Sequence, residues 1–83
     1  MEKRVFLVLV QNRFGVLAKV SSIFGRRGCN IHALTVYEEE PGLSRMTITF
    51  TCGAETTRQI SNQLKKLEDV REVALLEARI SGD

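Results

Sequence analysis

Eighty-three residues and 9.3 kDa amount to one small domain, too short for a two-domain enzyme. A chain of that size buries roughly 60–65% of the surface its unfolded form exposes, which supports one sheet-and-helix core but no deep private active site. Twelve Lys and Arg against ten Asp and Glu leave a net charge of +2, well short of a clustered basic nucleic-acid surface, and the absence of Trp with only five aromatics removes a base-stacking platform.

The first predicted element, Val5 to Val10, is apolar at every position and stops at Gln11-Asn12-Arg13. Its shortness and β-branched content predict a central strand, or one buried on both faces. From Gly15 to Arg27 the period becomes helical: Val16, Leu17, Val20, Ile23, Phe24 and Arg27 form one stripe opposite Lys19, Ser22 and Arg26. Gly28 stands where a helix end favours a left-handed residue. Asn30 to Glu38 alternates imperfectly, with Ile31, Ala33, Thr35 and Tyr37 assigned to one face and His32, Leu34 and Val36 to the other. Pro41-Gly42 suits the centre of a type II turn. The next strand alternates cleanly, Met46, Ile48 and Phe50 against Arg45, Thr47, Thr49 and Thr51. Thr56 and Gln59 are spaced as a capping box opening a second helix with the stripe Ile60, Leu64 and Leu67. A last strand is expected from Val70 to Ile80. Strand, helix, strand, strand, helix, strand is the order of an α+β, ferredoxin-like βαββαβ fold. It is a four-stranded antiparallel sheet with two helices on one face. The uncovered face and edges of so small a domain favour oligomers.

Candidate chemistry is sparse. Cys29 and Cys52 are too few for a disulfide framework or a cysteine-only zinc site. With the single His32 they offer three metal ligands at most, so no metal is expected. Two buried thiols in a reducing cytosol are the expectation. The six-residue apolar run is too short for a signal-peptide core or a membrane span, which predicts a cytoplasmic chain. His32 lies within a predicted strand, not beside a nucleophile. Glu38, Glu39 and Glu40 point alternately to opposite faces and cannot converge. The informative stretch is Asn12-Arg13-Phe14-Gly15, where Asn bends a turn, Gly15 admits close backbone approach, and free N–H groups follow at a helix start. That arrangement serves either a small carboxylate ligand or simply a helix entry.

Asn12-x-x-Gly15-x-Leu17-x-x-Val20-x-x-x-Phe24, followed by Asn30-Ile31, resembles the opening of the ACT domain family, small modules that bind amino acids. Arg26-Arg27-Gly28-x-Asn30-Ile31, Leu43 to Ile48 and Lys66-Leu67-x-Asp69-Val70-x-x-Val73 are similar, more narrowly, to the regulatory small subunit of acetolactate synthase. The resemblance spans Val5 to about Val73. It implies a single ACT domain over 1–83 (core about 4–78), with no second C-terminal domain in this chain and no catalytic residues. It implies a homodimer that binds valine, or another branched-chain amino acid, at the dimer interface. Asn12, Gly15, Val16 and Leu17 would line one side of that site, and Asn30 and Ile31 of the partner the other. The implied partner is the catalytic subunit, which would be activated and made subject to feedback inhibition. Thiamine diphosphate, Mg and FAD are expected only there, and no nucleic acid or membrane partner is implied. Phe14, Cys29 and His32 depart from the family pattern, which often has Pro or a small residue, an aromatic and an acidic residue at these positions. A free-standing ACT module serving a different enzyme or a transcription regulator is the alternative. An acylphosphatase on the same fold is disfavoured, since Asn12 and Arg13 share one turn without a glycine-rich loop.

Overall fold

The computed structural model describes residues 2–76. Along the chain run β1 (Glu2–Gln11), α1 (Val16–Arg26), β2 (Asn30–Glu40), β3 (Leu43–Cys52), α2 (Ala54–Lys65) and β4 (Val70–Leu76). The strands form one antiparallel sheet in the order β2-β3-β1-β4, with β2 and β4 at its edges. This is the expected βαββαβ architecture. The portion of the last strand expected at 77–80, and with it the expected core limit at 78, lies outside the described residues.

Phe6, Val8 and Val10 of β1 and Met46, Ile48 and Phe50 of β3 are buried beneath the helices, where they meet Val16, Val20, Ile23 and Phe24 of α1 and Ile60 and Leu64 of α2. At the centre Phe6 stacks on Phe50 with ring centroids 5.0 Å apart. Phe24 sets its edge against both, at 6.1 and 5.1 Å. Such pairs add about 0.5–1.5 kcal/mol each beyond the area they bury. The first strand is central, as expected, but covered on one face only: Val5, Leu7 and Leu9 are half-buried on the open side of the sheet.

Three expectations are corrected. In β2 the register with β3 shifts between Ile31, opposite Phe50, and Ala33, opposite Thr49. His32 is the extra residue of a β-bulge, and opposite residues share a face. The bulge therefore puts Ile31 on the helix side together with Leu34 and Val36, which oppose Ile48 and Met46. Strict alternation had assigned Ile31 to the other face. Second, α2 begins at Ala54 after an N-cap of Gly53, so Thr56 lies inside the first turn and no capping box forms. Thr57 instead donates its hydroxyl back to the Gly53 carbonyl at 2.8 Å. Third, the cysteines are joined: Cys29 and Cys52 form a disulfide with Cα atoms 5.4 Å apart.

That pairing follows from how α1 ends. Gly28 is left-handed at φ 71°. Its N–H donates to the Gly25 carbonyl at 3.1 Å, and the Cys29 N–H to the Phe24 carbonyl at 3.1 Å. These two bonds define a Schellman turn. The turn delivers Cys29 to the start of β2, directly before the Asn30–Thr51 pair, with Cys52 directly after it on the neighbouring strand.

Candidate functional site

The turn between β1 and α1 is built from short-range geometry and then pinned from both sides. The Arg13 N–H donates to the Gln11 carbonyl at 2.8 Å, and Gly15 serves as N-cap of α1 with φ 88°, a conformation glycine enters without steric cost. The Asn12 N–H donates to the Gly42 carbonyl, at 2.9 Å, in the β2–β3 turn. The Gln11 N–H donates to the Asp69 carbonyl at 2.7 Å, ahead of β4. The largely buried Asp69 carboxylate adds ion pairs to Arg13 (3.4 Å) and to Lys19 on α1 (3.7 Å). Three loops are thus tied at one end of the sheet. Asp69 carries this anchoring role, which the sequence reading did not assign to it. Its only signal there was its place within a family-like motif.

Around this anchored turn the predicted residues separate by role. The Asn12 side chain is exposed and makes no hydrogen bond among the described residues. Gly15 supplies the helix entry. The first intrahelical bond runs from Lys19 N–H to the Gly15 carbonyl. The N–H groups of Leu17 and Ala18 therefore belong to the unpartnered donors of the first turn, where partial positive charge accumulates. The Leu17 side chain is 44% exposed. Val16 points into the core at 3% exposure and offers its side chain to the fold instead. Phe14 is fully solvent-exposed at the tip of the turn.

Asn30 and Ile31 lie elsewhere. Both β1 and β2 are antiparallel to β3, so they run parallel to each other, and Asn12 follows the end of one while Asn30 begins the other. At about 3.3 Å per residue the two sites stand roughly 25–30 Å apart within one chain. No pocket of a single chain brings Asn12 and Asn30 together. The edge beside them carries exposed apolar side chains, Val36 at 49% and Tyr37 at 67%.

On the open face of the sheet, Arg45 reaches Glu39, the extra residue of a second irregularity in β2, with bonds of 2.9 and 3.1 Å from Nε and Nη2. The Glu39 carboxylate, through these hydrogen bonds and its charge, holds the Arg45 guanidinium above its ordinary pKa. His32 Nε2 and Thr51 Oγ1 lie within hydrogen-bond distance at 2.6 Å. Among the described residues no cluster of three His, Cys, Asp or Glu could hold a metal ion, and no helix is long and apolar enough to cross a membrane.

A ferredoxin-like sheet with a glycine-capped turn between β1 and α1 is the architecture of ACT domains. An ACT domain from a GTP pyrophosphokinase of Chlorobium tepidum superposes with a TM-score of 0.75 at 13% identity, a likeness of fold alone. The family model for the AHAS small subunit-like ACT domain matches residues 6–72, and the chain belongs to that family. It is 43% identical over 75 residues to the acetolactate synthase isozyme 3 small subunit of Escherichia coli, covering 89% of this chain and 46% of that protein. It is likewise 43% identical over 77 residues to a probable acetolactate synthase small subunit of Methanothermobacter thermautotrophicus, covering 92% and 46%. The crystal structure of the acetolactate synthase small subunit from Thermotoga maritima aligns with a TM-score of 0.79 and 39% identity over 90% of this chain and 47% of that one. The chain spans about half the length of the curated relatives it matches.

Proposed function

We propose that this chain is the amino-acid-sensing regulatory module of an acetolactate synthase. It has no catalytic residues of its own and acts through a thiamine-diphosphate-dependent catalytic subunit, which it activates and subjects to feedback inhibition. In this reading two copies pair through the β2 edges about a two-fold axis, continuing the sheet. An exposed edge strand is a template for such pairing. Antiparallel pairing of β2 with its copy carries the partner's Asn30 and Ile31 toward the Asn12–Gly15 turn, closing a 25–30 Å gap that one chain leaves open. The effector is valine, or another branched-chain amino acid. Its carboxylate meets the first-turn N–H groups of α1, its polar end the Asn12 amide, and its alkyl group Leu17 and the partner's Ile31.

The observation that carries the reading is the pinned turn itself. A pinned backbone, first-turn N–H donors and an Asn12 amide unbonded among the described residues are presented together, and immobilising such groups beforehand lowers the entropy a ligand must lose. Calorimetric titration with valine, leucine and isoleucine tests it, with sedimentation run in parallel. Valine is expected to bind a dimer, and the protein is expected to raise pyruvate condensation when added to a cognate catalytic subunit. A monomer that binds none of the three amino acids would refute the assembly and the site together. Amino-acid binding without any effect on the catalytic subunit favours the free-standing module instead.

A further inference from the structure

The helical layer is enriched in positive charge. The two helices and their C-terminal caps carry Lys19, Arg26, Arg27, Arg58, Lys65 and Lys66 against one carboxylate, Glu55, although the whole chain holds 12 cations and 10 anions. All six cationic side chains are exposed. Lys19 pairs with Asp69 and Arg58 with Glu55. Arg26, Arg27, Lys65 and Lys66 make no ion pair among the described residues.

Arg27 is ordered in a way that simple solvation does not require. Its Nε donates to Gln63 Oε1 at 3.0 Å and its Nη1 to Gln59 Oε1 at 2.6 Å. Both acceptors are neutral amides. They fix the plane of the guanidinium across the gap between α1 and α2 and leave its charge uncompensated. Arg26, Arg27, Thr56 and Gln63 line an open cleft of about 250 Å³ between the helices. A pre-oriented arginine with spare N–H donors, a second arginine and a hydroxyl around one small cleft match the planar, bidentate geometry of a carboxylate.

We infer that this basic helical layer, centred on the Arg26–Arg27 cleft, docks an acidic surface of a protein partner, one partner carboxylate entering the cleft. The inference rests on the function proposed above, under which the partner is the catalytic subunit. A protein is favoured over a nucleic acid because the net charge is only +2 and, outside the helical layer, nine carboxylates outnumber six cations, so no continuous basic track surrounds the cleft. The outer helical face is also distinct from the β2 edge, so docking and dimer formation are compatible.

The test measures binding of the dimer to the catalytic subunit between about 50 and about 300 mM salt, where screening of exposed charges grows steeply. Arg26→Glu removes no hydrogen bond or ion pair among the described residues and should leave the fold unchanged; Arg26→Glu with Arg27→Glu reverses the whole cleft. Lys3→Glu, the same two-unit charge change as Arg26→Glu alone but on an exposed residue of β1 outside the helical layer, is the control for the single reversal. The expected result is salt-sensitive wild-type binding, weakened about tenfold or more by the double reversal and flattened in its salt dependence, with the control near wild type. Wild-type binding that the reversals leave intact overturns the inference alone. Failure of the wild type to bind the subunit at all overturns the proposed function and this inference with it. Reversals that abolish binding to duplex DNA while sparing the subunit would assign the face to a nucleic acid and overturn it too.

Discussion

Gly15 and Gly25 differ in one property that decides the sign of the same mutation. A Cβ added at either meets nothing within 4 Å, but Gly15 sits at φ 88° whereas Gly25 lies in α1 with ordinary helical backbone. Gly15→Ala should therefore lower stability by about 1–2 kcal/mol, the cost of a left-handed conformation for an L side chain. Gly25→Ala should raise it by about 0.4–1 kcal/mol by restricting the unfolded chain. Urea unfolding with unchanged slopes and midpoints moved in opposite directions is the expected outcome. Asn12 presents the complementary case. Its side chain makes no hydrogen bond among the described residues, so Asn12→Ala should leave the midpoint unmoved. In the proposed site it removes a hydrogen bond to a charged ligand worth about 1.5–3 kcal/mol, a loss of roughly 10- to 150-fold in valine affinity by calorimetry. The Arg45–Glu39 pair, by contrast, creates no pH dependence near neutrality. A raised arginine pKa contributes stability that is present below its unfolded value and lost only in strong alkali.

Among the elements, the Cys29–Cys52 bond joins the α1–β2 junction to the end of β3 and encloses a separation of 23 residues. In the chain-entropy account a loop of that length is worth about 3–3.5 kcal/mol. Replacing both cysteines with serine, or reducing the protein with dithiothreitol, should lower unfolding stability by about that amount. The far-ultraviolet circular dichroism should persist, because the aromatic core around Phe6, Phe24 and Phe50 is independent of the bond. The helical period of α1 and the alternation of β3 were legible in the sequence because each buries one face against a single layer. Gly28 was legible because its left-handed φ ends a helix. The bulge at His32 was not, since a register shift is a property of two strands and leaves no mark on either alone. The capping box failed because Gly53 precedes Thr56 and opens the helix earlier, turning a good spacing into an interior position. The cysteine pairing was invisible for a related reason: a 23-residue spacing carries no signal until a Schellman turn and a strand end are laid side by side. The site was half legible. Asn12 and Gly15 announced a turn, while Gly42, which anchors it through a backbone carbonyl, and Asp69, which adds its carboxylate, belong to segments distant in the chain.

For the molecule as a whole, parallel running of β1 and β2 has a consequence for how lesions combine. Each proposed ligand site draws Asn12 from one chain and Asn30 from the other, and the two-fold axis makes two such sites. A dimer assembled from one Asn12→Ala chain and one Asn30→Ala chain therefore collects both lesions in a single site and leaves its second site wild type. Pure dimers of either mutant have none intact. Mixed dimers, isolated by two different affinity tags, should recover one valine per dimer. With both substitutions in the same chain opposite a wild-type partner, every site carries one lesion and nothing is recovered. Two defective alleles would then complement in trans and not in cis, a genetic signature written by nothing more than the direction in which two strands run.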